Sequence, residues 1–439
     1  MILIDKFFIF VFILVPLFLI TGPALPDLVI TFSVIYFLFS SVIIKKDYLF
    51  LKDHYFLVSI FFWISILFIS FFAYDTNKSF QDSIIFIRFL LIPVVAYYFF
   101  KDNINKIQKL IWVIFLCVCF VSIDTLFQFF NYESESGFGG DIFGFKSEWY
   151  GRLTGPFGDE LVPGAYISKF GLLGYLFFYF QKEYKLKNIF EIIYLSVISL
   201  VCFSSGEKMA FATYFMGLCF LLIFLNKKRL VMISSIIFSV FIILVTTKLH
   251  PFYNDYEVIS SNHYHQGFIV EKKFECKENV NEICTKVVKL QPQFIKVIKN
   301  FNTSAYGEIF NVGINMFKDH PITGIGISNY QKACNDIPKY NQLMLNYNCA
   351  SHPHNTYIQW LAEGGLVSFT IFVFFICIIT YFIMKGSNSE IIKYVALASL
   401  LIMFWPFMST GSLIKNWNGV LTFYIISLCL TLNKVKIKF

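Results

Sequence analysis

Residues 351–385 read SHPHNTYIQWLAEGGLVSFTIFVFFICIITYFIMK, and the second half of that stretch decides the fold. From Leu366 to Met384 the run is apolar and carries no charge. That is enough chain to cross a bilayer as a helix, which satisfies every backbone polar group without water. The first half is polar and holds two of the seven histidines, His352 and His354. Pro353 disfavours helix for the residue before it, so the chain enters extended. Thr356 and Gln359 suggest a capping box for a short helix running to about Glu363, and Gly364-Gly365 should break that helix before the span. His354 then stands just outside a helix N-terminus, beside free N–H groups and the positive end of the dipole. Anions bind at such places and a nearby base can act there. The competing reading is a polar loop that anchors a span.

Runs like 366–384 recur along the chain. It is 57% hydrophobic and 20% aromatic with 57 Phe, and only 15% of its 439 residues are charged, against roughly 25% in soluble domains. Twelve candidate spans follow, at about 7–24, 28–44, 54–73, 84–100, 109–130, 164–181, 188–203, 207–225, 230–248, 366–384, 391–408 and 417–432. The first resembles a signal peptide, but its basic segment is thin and further spans follow, which makes it a retained anchor. The expected class is therefore all-α, a polytopic helical membrane protein. Its expected parts are a membrane domain over 1–248, a loop domain over 249–365 and a second membrane domain over 366–439. The net charge of +8 comes from 33 Lys and three Arg (Arg88, Arg152 and Arg229), most of the Lys lying in short loops, and it is no nucleic-acid footprint.

Lysine placement sets the expected orientation. Loops 45–53, 101–109, 181–188 and 226–229 carry three Lys or Arg each, and the tail carries Lys434, Lys436 and Lys438. The alternate loops are poor: 21–27 has none and 74–83 has only Lys78. Both termini are thus expected in the cytoplasm of a bacterial inner-membrane protein. Two stretches fall on the outer side, an acidic glycine-rich one at 131–163 and a larger one at 249–355. Within the larger, 293–301 and 306–318 show apolar residues at helical spacing, including Ile309, Phe310, Ile314 and Phe317. All four cysteines outside the spans lie there, and an even number in an extracytoplasmic loop suggests disulfides. Sequential pairing, Cys276–Cys284 and Cys334–Cys349, is the most economical of three connectivities. A zinc site is the rival, although no CxxC occurs.

Polar residues at the membrane are costly and so become functional candidates. On the outer side these are Arg152 in GRLTGPFGDELVPG, Lys208 in SSGEKMAF, Arg88, His354 and Glu363. Where Lys so outnumbers Arg, an outward Arg suggests a need for the planar fork that grips phosphate. For Arg88 the alternative is snorkelling to the interface. GIGISN (324–329) lacks the third glycine of a dinucleotide fingerprint. Walker, GxSxG and HExxH motifs are absent, and without a DxD pair there is no obvious carboxylate site for a divalent metal holding a sugar nucleotide.

These residues resemble the O-antigen ligase and O-antigen polymerase superfamily over essentially the whole chain. His354 and Asn355, followed by Gly365 and Ser368, are close to the ligase signature of His-Asn, nine residues, then Gly-x-x-Gly/Thr/Tyr. HPITGIGISNY (320–330) looks like the Pro-x-x-Gly-x-Gly-x-x-x-Tyr element that precedes it. GRLTGPFGDELVPGAY and SSGEKMAF resemble two further segments, with Lys208 where Arg is usual. A further loop Arg has no counterpart, since Glu308 or Asn311 occupies the region. The resemblance implies a metal-independent glycosyltransferase with a donor glycan on undecaprenyl diphosphate. The acceptor would be lipid A–core for a ligase, or a lipid-linked glycan for a polymerase, which would also have a chain-length regulator as partner. It implies His354 as general base and Arg152 and Lys208 on the diphosphate. His352, Asn355, Tyr357, Glu363 and Arg88 are the supporting candidates. A transporter or flippase and a non-catalytic scaffold are the alternatives from other classes; a transporter usually shows repeated halves, and no repeat is visible here.

Overall fold

The structure, a computed structural model, describes residues 2–132, 138–147, 151–254, 270–276, 279–287, 301–345, 347–386 and 389–435. The chain is a helical membrane protein. Among the described residues six helices are long and apolar enough to cross a bilayer, and a seventh span arises if the pair Leu3–Ile13 and Val15–Thr21, bent by 48°, counts as one. In chain order the main helices are α1 (Ile2–Ile13), α2 (Val15–Phe18), α3 (Ala24–Leu38), α4 (His54–Ser70), α5 (Thr76–Phe100) and α6 (Ile104–Phe130). They continue with α7 (Pro163–Phe180), α8 (Lys187–Ser204), α9 (Lys208–Phe224), α10 (Arg229–Leu249) and the short α11 (Pro251–Asn254). A two-stranded antiparallel hairpin, Val270–Cys276 with Asn279–Val287, is the one departure from helix in this list. Then come α12 (Ala305–Asp319), α13 (Tyr330–Asp336), α14 (Pro338–Asn341), α15 (Thr356–Lys385), α16 (Glu390–Met403) and α17 (Asn416–Lys434).

The chain divides into two compact units, one of 1–114 with 300–439 and the other of 115–299. In the first, α5 packs against α3, α4 and α17, and α15 packs against α4 and α12. Helix starts are set by side-chain caps: Asp75 accepts from the Lys78 N–H at 3.0 Å and Ser304 from Gly307 at 3.1 Å. The Arg88 side chain is engaged by two other helices. Its guanidinium pairs with Asp27 at 2.8 Å and donates to Asn416 at 3.0 Å, so it ties α3, α5 and α17 together.

The segment 301–355 folds onto this first unit around its own core of Ile309, Val312, Met316, Ile325, Tyr330 and Tyr340. Cys334 and Cys349 are joined by a disulfide. The side chains of Cys276 and Cys284 lie outside the described residues, as do residues 293–300 of the first amphipathic segment. In α12 the buried face differs from the expected one. Ile309, Val312, Gly313 and Met316 face inward, while Ile314 is exposed. The cause is Gly313: a Cβ there would lie 2.6 Å from Ile358 Cγ2, so α12 seats its glycine against α15.

In the second unit α8 packs against α7, α9 and α10. Its buried Glu191 accepts from Lys228 at 2.8 Å and from the Tyr175 hydroxyl at 3.0 Å. Gln128 Oε1 accepts from the N–H groups of Thr154 and Gly155, which holds the segment after Arg152 against α6.

Candidate active site

The polar stretch before α15 is organised by the loop between α16 and α17. Asn355, not Thr356, caps the helix: its Oδ1 accepts from the N–H groups of Tyr357 and Ile358 at 3.0 and 3.1 Å. Its Nδ2 donates to the carbonyls of Pro406 and Met408. Thr356 Oγ1 instead meets Thr410 Oγ1 at 2.9 Å, and the Tyr357 hydroxyl donates to Phe404 O at 2.6 Å. Gln359 Nε2 donates to Ser412 Oγ at 2.7 Å and Thr410 N to His354 O at 2.7 Å. Two N–H groups expected to be free at this terminus are therefore taken by Asn355.

His352 belongs to the same clamp. Its Nε2 lies 3.2 Å from Thr410 O, which can only accept, so that nitrogen carries the proton and Nδ1 faces Ser351 Oγ at 2.9 Å. Burial, with help from the neighbouring His354 ring, pushes the His352 pKa down to about 4. The unfolded chain takes up this proton near pH 6.5, the folded chain only near 4. Stability from the clamp is complete above about 6.5 and is lost as pH falls toward 4. Thermal unfolding of wild type in detergent should thus fall more steeply between pH 7 and 5 than that of His352→Gln. Parallel curves would remove His352 as the acid-sensitive contact.

His354 differs from its neighbours. Its backbone sits at φ 51°, a left-handed position uncommon for a non-glycine residue. Its ring lies between Tyr306, 5.7 Å away edge-on, and His352, at 4.1 Å. Neither ring nitrogen forms a hydrogen bond among the described residues, and burial lowers its pKa. The geometry leaves a neutral imidazole with an available lone pair.

The expected break falls at Gly365, whose φ of 59° and ψ of −164° interrupt α15. The glycine-rich run before α13 fills the gap. Ile325 N donates to Ala362 O and Gly326 N to Glu363 O, both at 2.9 Å. In return Leu366 N donates to Pro321 O at 2.8 Å and Val367 N to Ile322 O at 3.2 Å. A Cβ on Gly324 would lie 2.4 Å from Glu363 C, so only glycine permits this approach. The buried Glu363 braces the same corner, accepting from Gln359 Nε2 at 2.9 Å and Tyr330 N at 3.3 Å.

Arg152 and Lys208 lie in the other unit. Gly206, at φ 79°, lets the 205–207 turn run against Gly151, and Leu153 N donates to Ser205 O at 3.1 Å. That places Arg152 near Glu207, at 4.0 Å. Arg152 Nη2 also donates to Leu161 O at 3.1 Å, while its buried Nε has no partner among the described residues. Glu207 accepts from the N–H groups of Gly164 and Ala165 at 2.7 and 3.2 Å, an anion seated on the start of α7. Lys208 is exposed beside it, and Lys169, buried in α7, senses the Glu207 charge. Sequence reasoning missed Glu207, Lys169 and Tyr306. A signal existed for Glu207: α7 opens after Val162, which cannot cap, so its first N–H groups needed an acceptor from elsewhere.

Among the described residues no three His, Cys, Asp or Glu side chains gather into a set able to hold a metal ion. The fold and the polar stretch together define a polytopic membrane protein whose broken helix presents a histidine beside a glycine-stitched turn. Residues 193–373, which include Lys208, His354, Gly365 and Ser368, match the family model described as O-antigen ligase. No curated protein matches the chain.

Proposed function

We propose that this chain is a membrane glycosyltransferase of the O-antigen ligase type. It moves a glycan from undecaprenyl diphosphate to a sugar hydroxyl of lipid A–core, at the periplasmic face of the bacterial inner membrane. The observation that carries this is the state of His354, the one member of its polar stretch whose ring is not spent on holding the fold. An imidazole nitrogen there takes the proton of the acceptor hydroxyl as its oxygen bonds to the anomeric carbon. The bond from that carbon to the phosphate oxygen breaks, and undecaprenyl diphosphate leaves with the electron pair. Asn355 and Tyr357 position the histidine by fixing the start of α15, and His352 and Glu363 hold the surrounding turns.

We assign the leaving diphosphate to Arg152 and Lys208. Arg152 offers a donor without a partner, and fixed cations stabilise charge that develops at departure. Arg152→Ala should lower kcat/KM for the lipid-linked donor about a hundredfold, with a smaller loss for Arg152→Lys, while the acceptor KM holds. A wild-type donor KM and kcat in Arg152→Ala would remove it from the site. The deciding assay for the whole reading is the glycan pattern of a deletion strain. Accumulated lipid-linked polymer with bare lipid A–core supports the ligase. Single repeat units on the core in place of ladders would mark a polymerase using a lipid-linked acceptor.

A further inference from the structure

We infer that the lysine-bearing end of the first unit holds a binding site for an anionic glycerophospholipid, distinct from the turn that carries His354. A cavity of about 640 Å³ opens there between α3, α4, α5, α15 and α17, within the size range of small-molecule sites. Its walls are apolar, with Phe37, Val94, Phe382 and Leu430 among them. Its polar lining includes Lys52, Lys101, Lys385 and Lys434, against two carboxylates, Asp47 and Asp53. Asp53 is taken by Lys434. Lys52, Lys101 and Lys385 form no ion pair among the described residues and are exposed.

Lysines at helix C-termini are ordinary, because they complement the dipole and reach the interface. They do not account for the other half of the site. Three further lining residues, Ser41, Thr431 and Asn433, are buried, and Ser41 Oγ, Thr431 Oγ1 and Asn433 Oδ1 have no hydrogen-bond partner among the described residues. Buried polar atoms are almost always satisfied, so three orphans lining one cavity point to a ligand bearing both donors and acceptors. Acyl chains suit the apolar wall, a phosphodiester suits the lysines, and glycerol oxygens and hydroxyls suit the orphans. A phospholipid of the surrounding leaflet combines all three, and basic pockets between spans are where anionic head groups lodge.

The test uses the full-length protein in phosphatidylcholine nanodiscs doped with phosphatidylglycerol, with retained lipids counted by native mass spectrometry. Phosphatidylglycerol should be retained at least about fivefold over phosphatidylcholine at equal mole fraction. The Lys101→Ala/Lys385→Ala double variant should abolish that preference. Val94→Trp, which fills the cavity and leaves the lysines in place, should do the same. Equal retention of the two lipids by wild type overturns the site, and this arm needs no variant to fold. A preference that survives both variants also overturns it. So does displacement of the lipid by inorganic phosphate alone, or a rise in retention on deleting residues 436–439, which would make the chain's own tail the occupant. Because no arm reads glycan transfer, failure here leaves the proposed reaction untouched, and the reverse holds.

Discussion

Replacing His354 with alanine should lower kcat by about a hundred- to ten-thousand-fold, the usual contribution of a placed general base, with donor and acceptor KM close to wild type. The expectation rests on how little else His354 does. Asn355, Thr356, Tyr357 and Gln359 hold the 404–415 loop with their side chains, and His354 contributes only its carbonyl to that task. Alanine keeps the carbonyl. Protein yield and melting should therefore change far less than rate. The pH profile adds a second readout. Burial lowers the His354 pKa, so the active neutral form persists below the ordinary value of 6.5. The plateau of kcat/KM should extend down through pH 6.5 and fall only at more acidic pH. Full transfer by purified His354→Ala would end the general-base assignment, and an acidic limb centred above 6.5 would contradict the burial on which it rests.

Gly365→Ala should be the most damaging single substitution to folding. The position combines φ 59° with ψ −164°, a region that is essentially glycine's alone. An added Cβ would sit 2.3 Å from Ile322 O and 2.6 Å from Gly324 N. Those atoms are backbone and themselves hydrogen-bonded, so they cannot swing aside. Backbone strain and overpacking together cost roughly 2–6 kcal/mol. Thermal size-exclusion of the detergent-solubilised variant should show a large fall in melting temperature or no monodisperse protein at all. A wild-type melting curve would mean that the break relaxes into continuous helix without loss.

The fold was largely legible because lipid is an exacting solvent. Each of the twelve expected spans falls largely on helix, but among the described residues only six helices, or seven with the bent pair, are long and apolar enough to cross a bilayer. The Gly364-Gly365 break could also be read, since two adjacent glycines before an apolar run leave little else to expect. What fills the break could not, because the partner is the Pro321–Gly326 run some forty residues earlier. Long-range pairing also hid the role of Arg88, whose partners Asp27 and Asn416 lie in distant helices. The buried face of α12 was misplaced for a different reason. Counting apolar side chains cannot see Gly313, whose missing side chain is what lets α15 approach. At the candidate site His354 and Asn355 stood out by motif, but the cap moved by one residue because Thr356 found Thr410 instead.

The stitched turn also sets a rule for recombination with homologous sequences. The segments 321–326 and 362–367 exchange backbone hydrogen bonds in both directions, and a Cβ on Gly324 would meet the backbone of Glu363 and Gly364 while one on Gly365 would meet that of Ile322 and Gly324. Neither segment is a portable module. A chimera whose crossover falls between Asn329 and His354 separates two halves of one joint, whereas a crossover before Ser304 or after Ser368 carries the joint across whole. Swaps of the first kind should yield misassembled protein even between similar parents, and swaps of the second kind should assemble.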